Sequence, residues 1–187
     1  MSVLATEDFA GSGALSASWT DIAAGWTRVS GEGSCTNVTD GGTSRYTGVT
    51  PNADHYAKLT IGSTVSTVSD EGDGPVVRMN ADTSMYILQG NTVQTRVYKR
   101  MPGNVFTQLG SDGPAIATAD ELYLEVQGTT LVAKKNGTSI CGSPLTDSAI
   151  AGGTGGLWGF GTGIKADNFE LGDFAGGATN LQAQACL

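Results

Sequence analysis

Leu122, Leu124 and Val126 alternate with Tyr123, Glu125 and Gln127. A period of two sends successive side chains to opposite faces of a strand, so the aliphatic set predicts a buried face and the other set a solvated one. After Gly128 comes a second β run over 129–135, and the pair predicts a hairpin. Asn136-Gly137 then supplies two residues that tolerate positive φ, which predicts the next turn. A second hairpin is predicted upstream, where 85–89 and 92–100 flank Gly90-Asn91. In its second strand Val93, Thr95 and Val97 share one face, and Gln94, Arg96, Tyr98 and Arg100 the other.

Further strands are predicted at 3–9, 26–30, 35–39, 55–61, 75–80, 105–109, 156–160 and 166–171. Many short strands with turns at close spacing predict a sandwich or a barrel. Residues 63–69 are β-branched and polar and read as strand or loop, and 115–120 as a single helical turn. The most glycine-rich run spans 152–163. Leu157, Trp158 and Phe160 interrupt it, which predicts a tight strand pair rather than a flexible tether. No boundary divides residues 1–174, which read as one domain. Residues 175–187 lack a clean apolar period and read as a tail or docking segment.

Charge narrows the partners. Ten Lys and Arg stand against eighteen Asp and Glu, so 10 − 18 gives −8 over 187 residues with the single histidine neutral. Nucleic acid and anionic membranes call for clustered cations, and both are excluded as expected partners. The N-terminus has neither the basic nor the apolar region of a secretory signal, and no run approaches the roughly 18 apolar residues of a membrane helix. Cys35, Cys141 and Cys186 are too far apart for a zinc knuckle and odd in number, so they read as small apolar residues or free thiols.

Glu7-Asp8-Phe9, Gly13-Ala14-Leu15, Trp19 and Gly25-Trp26 open the chain. Leu122-x-Leu124-x-Val126-x-Gly128, Asn136-Gly137, Asp147, Gly152-Gly153 to Gly156 and Asp167-Asn168-Phe169-Glu170 follow in its second half. In this order the motifs resemble concanavalin A-like or laminin-G-like jelly-roll domains, across residues 3–174. The resemblance implies an all-β, two-sheet antiparallel jelly-roll sandwich. It also implies that the first and last strands pair, bringing Phe9 and Phe169 together in the core. Trp19, Trp26 and Trp158 fall in core positions of the family pattern. A structural calcium between the first and last strands is implied too, with Glu7 or Asp8, and Asp167, as its side-chain ligands and a glycine-loop carbonyl completing the site. No other cofactor is expected.

Candidate chemistry is sparse. Retaining glycosidases need two carboxyl groups about 5–5.5 Å apart. Glu121 and Glu125 share a strand face at a separation of about 13 Å, with Tyr123 between them, and so do not make such a pair. His55 has no nucleophile motif beside it and reads as a polar strand-edge residue. Sugar binding asks for aromatic platforms beside polar groups, for which Tyr86, Arg96, Tyr98, Arg100 and Tyr123 are the candidates. The composition and the resemblance lead to a non-catalytic bacteriophage virion protein, of head-decoration or head-fibre type, as the expected function. It would carry a weak glycan affinity and dock on other virion proteins or on its own copies. The alternative is a free-standing, extracellular carbohydrate-binding module, and a glycoside hydrolase ranks below both.

Overall fold

The computed structural model describes residues 1–23, 25–35, 41–161 and 163–174. Its strands are β1 (Ser2–Glu7), β2 (Gly13–Ala14), β3 (Trp19–Ala23), β4 (Trp26–Val29), β5 (Glu32–Cys35) and β6 (Gly42–Tyr46). Then come β7 (His55–Ile61), β8 (Gly72–Met79), β9 (Met85–Gly90), β10 (Thr95–Met101), β11 (Val105–Gly113) and β12 (Glu121–Gln127). The last are β13 (Thr130–Lys135), β14 (Thr138–Ser139), β15 (Leu145–Thr146), β16 (Thr154–Phe160) and β17 (Ile164–Asp173). No helix occurs among the described residues.

The strands form two antiparallel sheets. One runs β14-β13-β12-β7-β17-β5-β4-β2, with β15 on β13 and β1 on β17. The other runs β11-β10-β9-β8-β16-β6-β3. Strand β17 gives one edge to β7. Its other edge is shared end to end by β5, at Ile164 to Ala166, and β1, at Phe169 to Asp173. The first and last strands therefore pair, as expected. Phe9 lies just past β1 at φ 53°. Phe9 and Phe169 are both buried and both touch Trp19, with ring centroids 6.2 and 4.9 Å away.

The core lies between the sheets. Leu59, Leu122, Leu124 and Leu131 meet Val77, Leu88, Val97 and Leu157 there, all fully buried. Each such side chain contributes about 1.5–3 kcal/mol on leaving water. The alternation of Leu122, Leu124 and Val126 is thus a core face, and Thr95 and Val97 face inward as expected. Val93 does not. It is exposed in the turn that joins β9 to β10, because Asn91 Oδ1 accepts the backbone N–H groups of Val93 and Gln94 and holds them out of the ladder.

Several expectations change. Residues 115–120 form no helical turn. Asp120 N donates to Ala117 O, Asp120 Oδ2 accepts from Ala117 N, and Ala119 has φ 69°, a tight turn closed by the aspartate. The glycine-rich run is not one strand pair. Strand β16 sits centrally in the second sheet between β8 and β6, and the chain then crosses to β17 in the other sheet. Glycine is needed in β16 because a Cβ on Gly159 would come within 2.8 Å of Cys35 and Trp26 across the core. Of the predicted strand at 35–39 only Cys35, the last printed residue of β5, can be placed, since 36–40 lie outside the described residues, and β6 went unpredicted. The segment 175–187, including Cys186, also lies outside them.

Two buried titratable groups stand out. His55 is no edge residue: it is fully buried in β7, between β12 and β17. Its Nε2 accepts from Arg78 N at 3.1 Å, so the proton sits on Nδ1, which donates to Asn52 O at 2.7 Å. Burial holds its pKa below the ordinary 6.5. Asp73 is fully buried in β8 opposite Gly159 and Gly90, on the side of Leu157 and Leu88, and its carboxyl oxygens have no partner among the described residues. Burial raises its pKa well above 3.8, because burial disfavours the charged form.

The two groups act in opposite directions. A histidine with a lowered folded pKa contributes stability that is present above pH 6.5 and lost as pH falls through the folded value. Wild type should therefore lose stability relative to His55→Gln between pH 7 and 5, by up to about 1.4 kcal/mol per pH unit. Chemical denaturation at the two pH values measures it, and a constant difference would show that His55 does not titrate with unfolding. A carboxyl with a raised folded pKa is most favourable below pH 3.8 and less so as pH rises. The melting temperature of Asp73→Asn should thus gain on wild type from pH 4 to pH 7. An equal gap at both values would mean that Asp73 is ionised in the folded protein.

Candidate functional site

The outer face of the seven-stranded sheet carries the alternate residues of its core-facing strands. Where Leu157, Leu88 and Val97 point inward, Trp158, Gln89 and Tyr98 point outward. Val76, Met79, Met85, Ile87 and Trp158 make a second buried apolar cluster there, flanked by Ile22, Tyr98 and Phe160. The register places Tyr98 beside Ile87 and Phe106 beside Arg100. A cleft of about 440 Å³ opens above them, lined by Asp70, Gln89, Tyr98, Asn104, Phe106, Trp158 and Phe160.

Arg100 is built into this cleft rather than presented by it. Its guanidinium carbon lies 5.5 Å from the Phe106 ring centre and 5.2 Å from that of Trp158. Arg100 is buried, donates to Thr43 Oγ1 at 3.2 Å and bonds the side chain of Asn104. A cation between two rings orients both of them. Phe106 is 41% exposed and Trp158 4%, so Phe106 is the rim and Trp158 the floor. Tyr98 meets Phe106 edge-on at 6.2 Å and accepts from Arg96. The Trp158 Nε1–H has no acceptor among the described residues. Gly41 makes room for that indole: at φ +77°, a Cβ there would stand 2.1 Å from the ring.

Of the five residues expected to bind sugar, the structure brings Tyr98, Arg96 and Arg100 to this face. Arg96 is engaged by Asp112 at 2.9 Å and Asp70 at 3.3 Å. Tyr86 does not reach it. It is fully buried on the core side, its hydroxyl donates to Asp147, and burial with that bond pushes its pKa up to about 12. Tyr123 lies on the other sheet, stacked on Tyr56 at 5.2 Å beneath Lys134. Phe106, Gln89 and Asn104 were missed. The strand at 105–109 was legible, but its place beside β10 comes from the folded topology.

Glu7, Asp8 and Asp167 are occupied locally. Glu7 accepts from Phe9 N, Ser16 Oγ and Trp19 Nε1. Asp8 accepts from Ala10 N and Asp167 from Asn168 N. No group of three or more His, Cys, Asp or Glu with metal-binding geometry occurs among the described residues. Glu7 and Asp8 line a separate hollow of about 490 Å³ on the first sheet, together with Glu121 and Glu170. Lys58 there lies 3.3 Å from Glu121 and 3.6 Å from Glu170, which compensates their charge.

No family model matches the chain, and no curated protein matches it. Solved structures do. The carbohydrate-binding module CBM66 from Bacillus subtilis is similar over 81% of this chain and 91% of its own, with TM-score 0.62 and 14% identity. The GH43 protein BlXynB from Bacillus licheniformis is similar over 90% of this chain but 39% of its own, with TM-score 0.63 and 15% identity. LamA from Z. galactanivorans, in complex with laminaritriose and laminaritetraose, is similar over 91% and 96%, with TM-score 0.56 and 10% identity. These likenesses show the fold: a two-sheet antiparallel jelly-roll sandwich.

Gly41→Ala should displace the Trp158 indole. The expected result is altered near-ultraviolet circular dichroism at tryptophan wavelengths and a loss of about 1–3 kcal/mol, the usual cost of overpacking. An unchanged spectrum would show that Gly41 does not set the ring position.

Proposed function

We propose that the protein is a non-catalytic carbohydrate-binding module that holds a glycan on the outer face of its seven-stranded sheet. The observation that carries this reading is the cleft itself. Trp158, Phe160 and Tyr98 form an apolar floor and wall, Phe106 stands half-exposed at the rim, and Gln89, Asn104 and Asp70 offer polar groups beside them. Sugar rings have apolar faces and hydroxyl edges, so aromatic surface beside amides and a carboxylate suits them. The fold neighbours include a carbohydrate-binding module and a protein solved with oligosaccharides, which supports the reading at the level of fold.

Hydrolysis finds less support. Among the described residues Asp70 is the one carboxylate lining the cleft, whereas glycoside hydrolysis by the usual routes takes two. Neither the cleft nor the fold neighbours bear on the virion role expected from the sequence. Glycan binding, its alternative, is the reading they favour.

A glycan array followed by calorimetry on the best ligand tests the proposal. Phe106→Ala should weaken binding at least about tenfold, equivalent to about 1.4 kcal/mol. Its melting temperature should stay within a few degrees of wild type, because the ring is a rim group. A protein that binds no glycan at millimolar concentration, or a Phe106→Ala variant that binds equally well, would sink the idea.

A further inference from the structure

Seven of the ten lysines and arginines pair with a carboxylate: Lys58, Arg78, Arg96, Lys99, Lys134, Lys135 and Lys165. Arg28 donates to two backbone carbonyls and Arg100 is held by Thr43, Asn104 and two rings. Arg45 differs from all of these. It is half-buried on β6, its Nε is buried without a hydrogen-bond partner, and its side chain has no ion pair among the described residues. In a protein of net charge −8 an arginine without a carboxylate is unexpected, since a guanidinium stays charged at every working pH.

Arg45 lines a hollow of about 450 Å³ whose lining holds no Asp or Glu. Thr47, Thr50, Asn80 and Thr154 supply its polar side chains, and Val49 and Met79 its apolar wall. Arg45 is partly exposed to this hollow, and an oxyanion bonded to the exposed part of its guanidinium would offset the charge that no described carboxylate compensates. Ring hydroxyls suit the threonines and the asparagine. The hollow also shares a face with the aromatic cleft. Arg45 pairs with Gly156 on β16, Met79 belongs to the same apolar cluster as Trp158, and Thr154 and Trp158 are four residues apart on β16. That spacing is about 13 Å along a strand.

We propose that this hollow is a second glycan subsite, in which Arg45 binds the carboxylate or sulfate ester of an acidic sugar. The inference rests on the glycan-binding reading and deepens it: the ligand is an acidic glycan whose uncharged portion lies on the aromatic cleft and whose charged group reaches Arg45. The attraction is electrostatic and weakens with salt.

The test follows the Arg45 Nε–Hε signal by proton–nitrogen NMR on the whole chain, titrated with D-glucuronate, glucose 6-sulfate, glucose and inorganic sulfate. Glucuronate or glucose 6-sulfate should move that signal, with affinity at least about fivefold above that for glucose or inorganic sulfate. The response should weaken as sodium chloride is raised. Arg45→Gln should abolish the preference over glucose. If that variant does not fold, the wild-type titration decides alone. Whichever of the two acidic sugars binds tighter identifies the charged group. An Arg45 signal that no anion moves overturns the inference, and so does inorganic sulfate binding as well as the acidic sugars, which would mark a plain anion site. The glycan-binding reading is tested separately by Phe106→Ala with a neutral glycan. Loss of one behaviour with retention of the other shows which of the two has failed.

Discussion

Trp19 ties the two ends of the chain to both sheets. Its ring meets Phe9 from the segment after β1, Tyr46 from β6 at 5.0 Å, and Phe169 from β17 at 4.9 Å, while Glu7 accepts its indole N–H. The contact with Phe169 joins residues more than 100 positions apart, so it cannot form until the loop between them has closed. The rest of the sandwich depends on that closure. Strand β17 is the centre of the first sheet, and it is in place only when β1, β5 and β7 all reach it.

Once the sheets are stacked, alternation gives the second sheet two different surfaces from the same strands. The inward residues complete the core. The outward ones would be solvated in a simple sandwich, yet Val76, Met79, Met85 and Ile87 are fully buried. A buried apolar cluster outside the core stiffens the floor of the cleft, and Arg100 wedged between Phe106 and Trp158 fixes its wall. Such a surface can hold a ligand without first being ordered, which lowers the entropy cost of binding.

Cations are paired with carboxylates on both sheets. On the first sheet Lys58, Lys134 and Lys165 are each matched with glutamates. On the second sheet Arg78, Arg96 and Lys99 are matched with aspartates, Arg100 builds the aromatic wall, and Arg45 has no ion pair among the described residues.

What the chain determined by itself was local. Period-two alternation at 122–126 and the Asn136-Gly137 turn follow from side-chain geometry and backbone sterics, which need no distant partner, and both stand in the structure. The order of short motifs sufficed for the jelly-roll class and for the pairing of first and last strands. Tertiary structure decided which face of each strand is buried when both carry aromatic or aliphatic residues. Tyr86 and Tyr98 are alike in sequence, but their adjacent strands turn one into the core and the other into the cleft. It also decided that His55 is enclosed between two long-range neighbours, that Asp73 lies without a partner among the described residues, and that Phe106 meets Arg100 and Trp158. Each of these is set by which strands become neighbours across the sheet, a long-range choice that no local window of residues encodes.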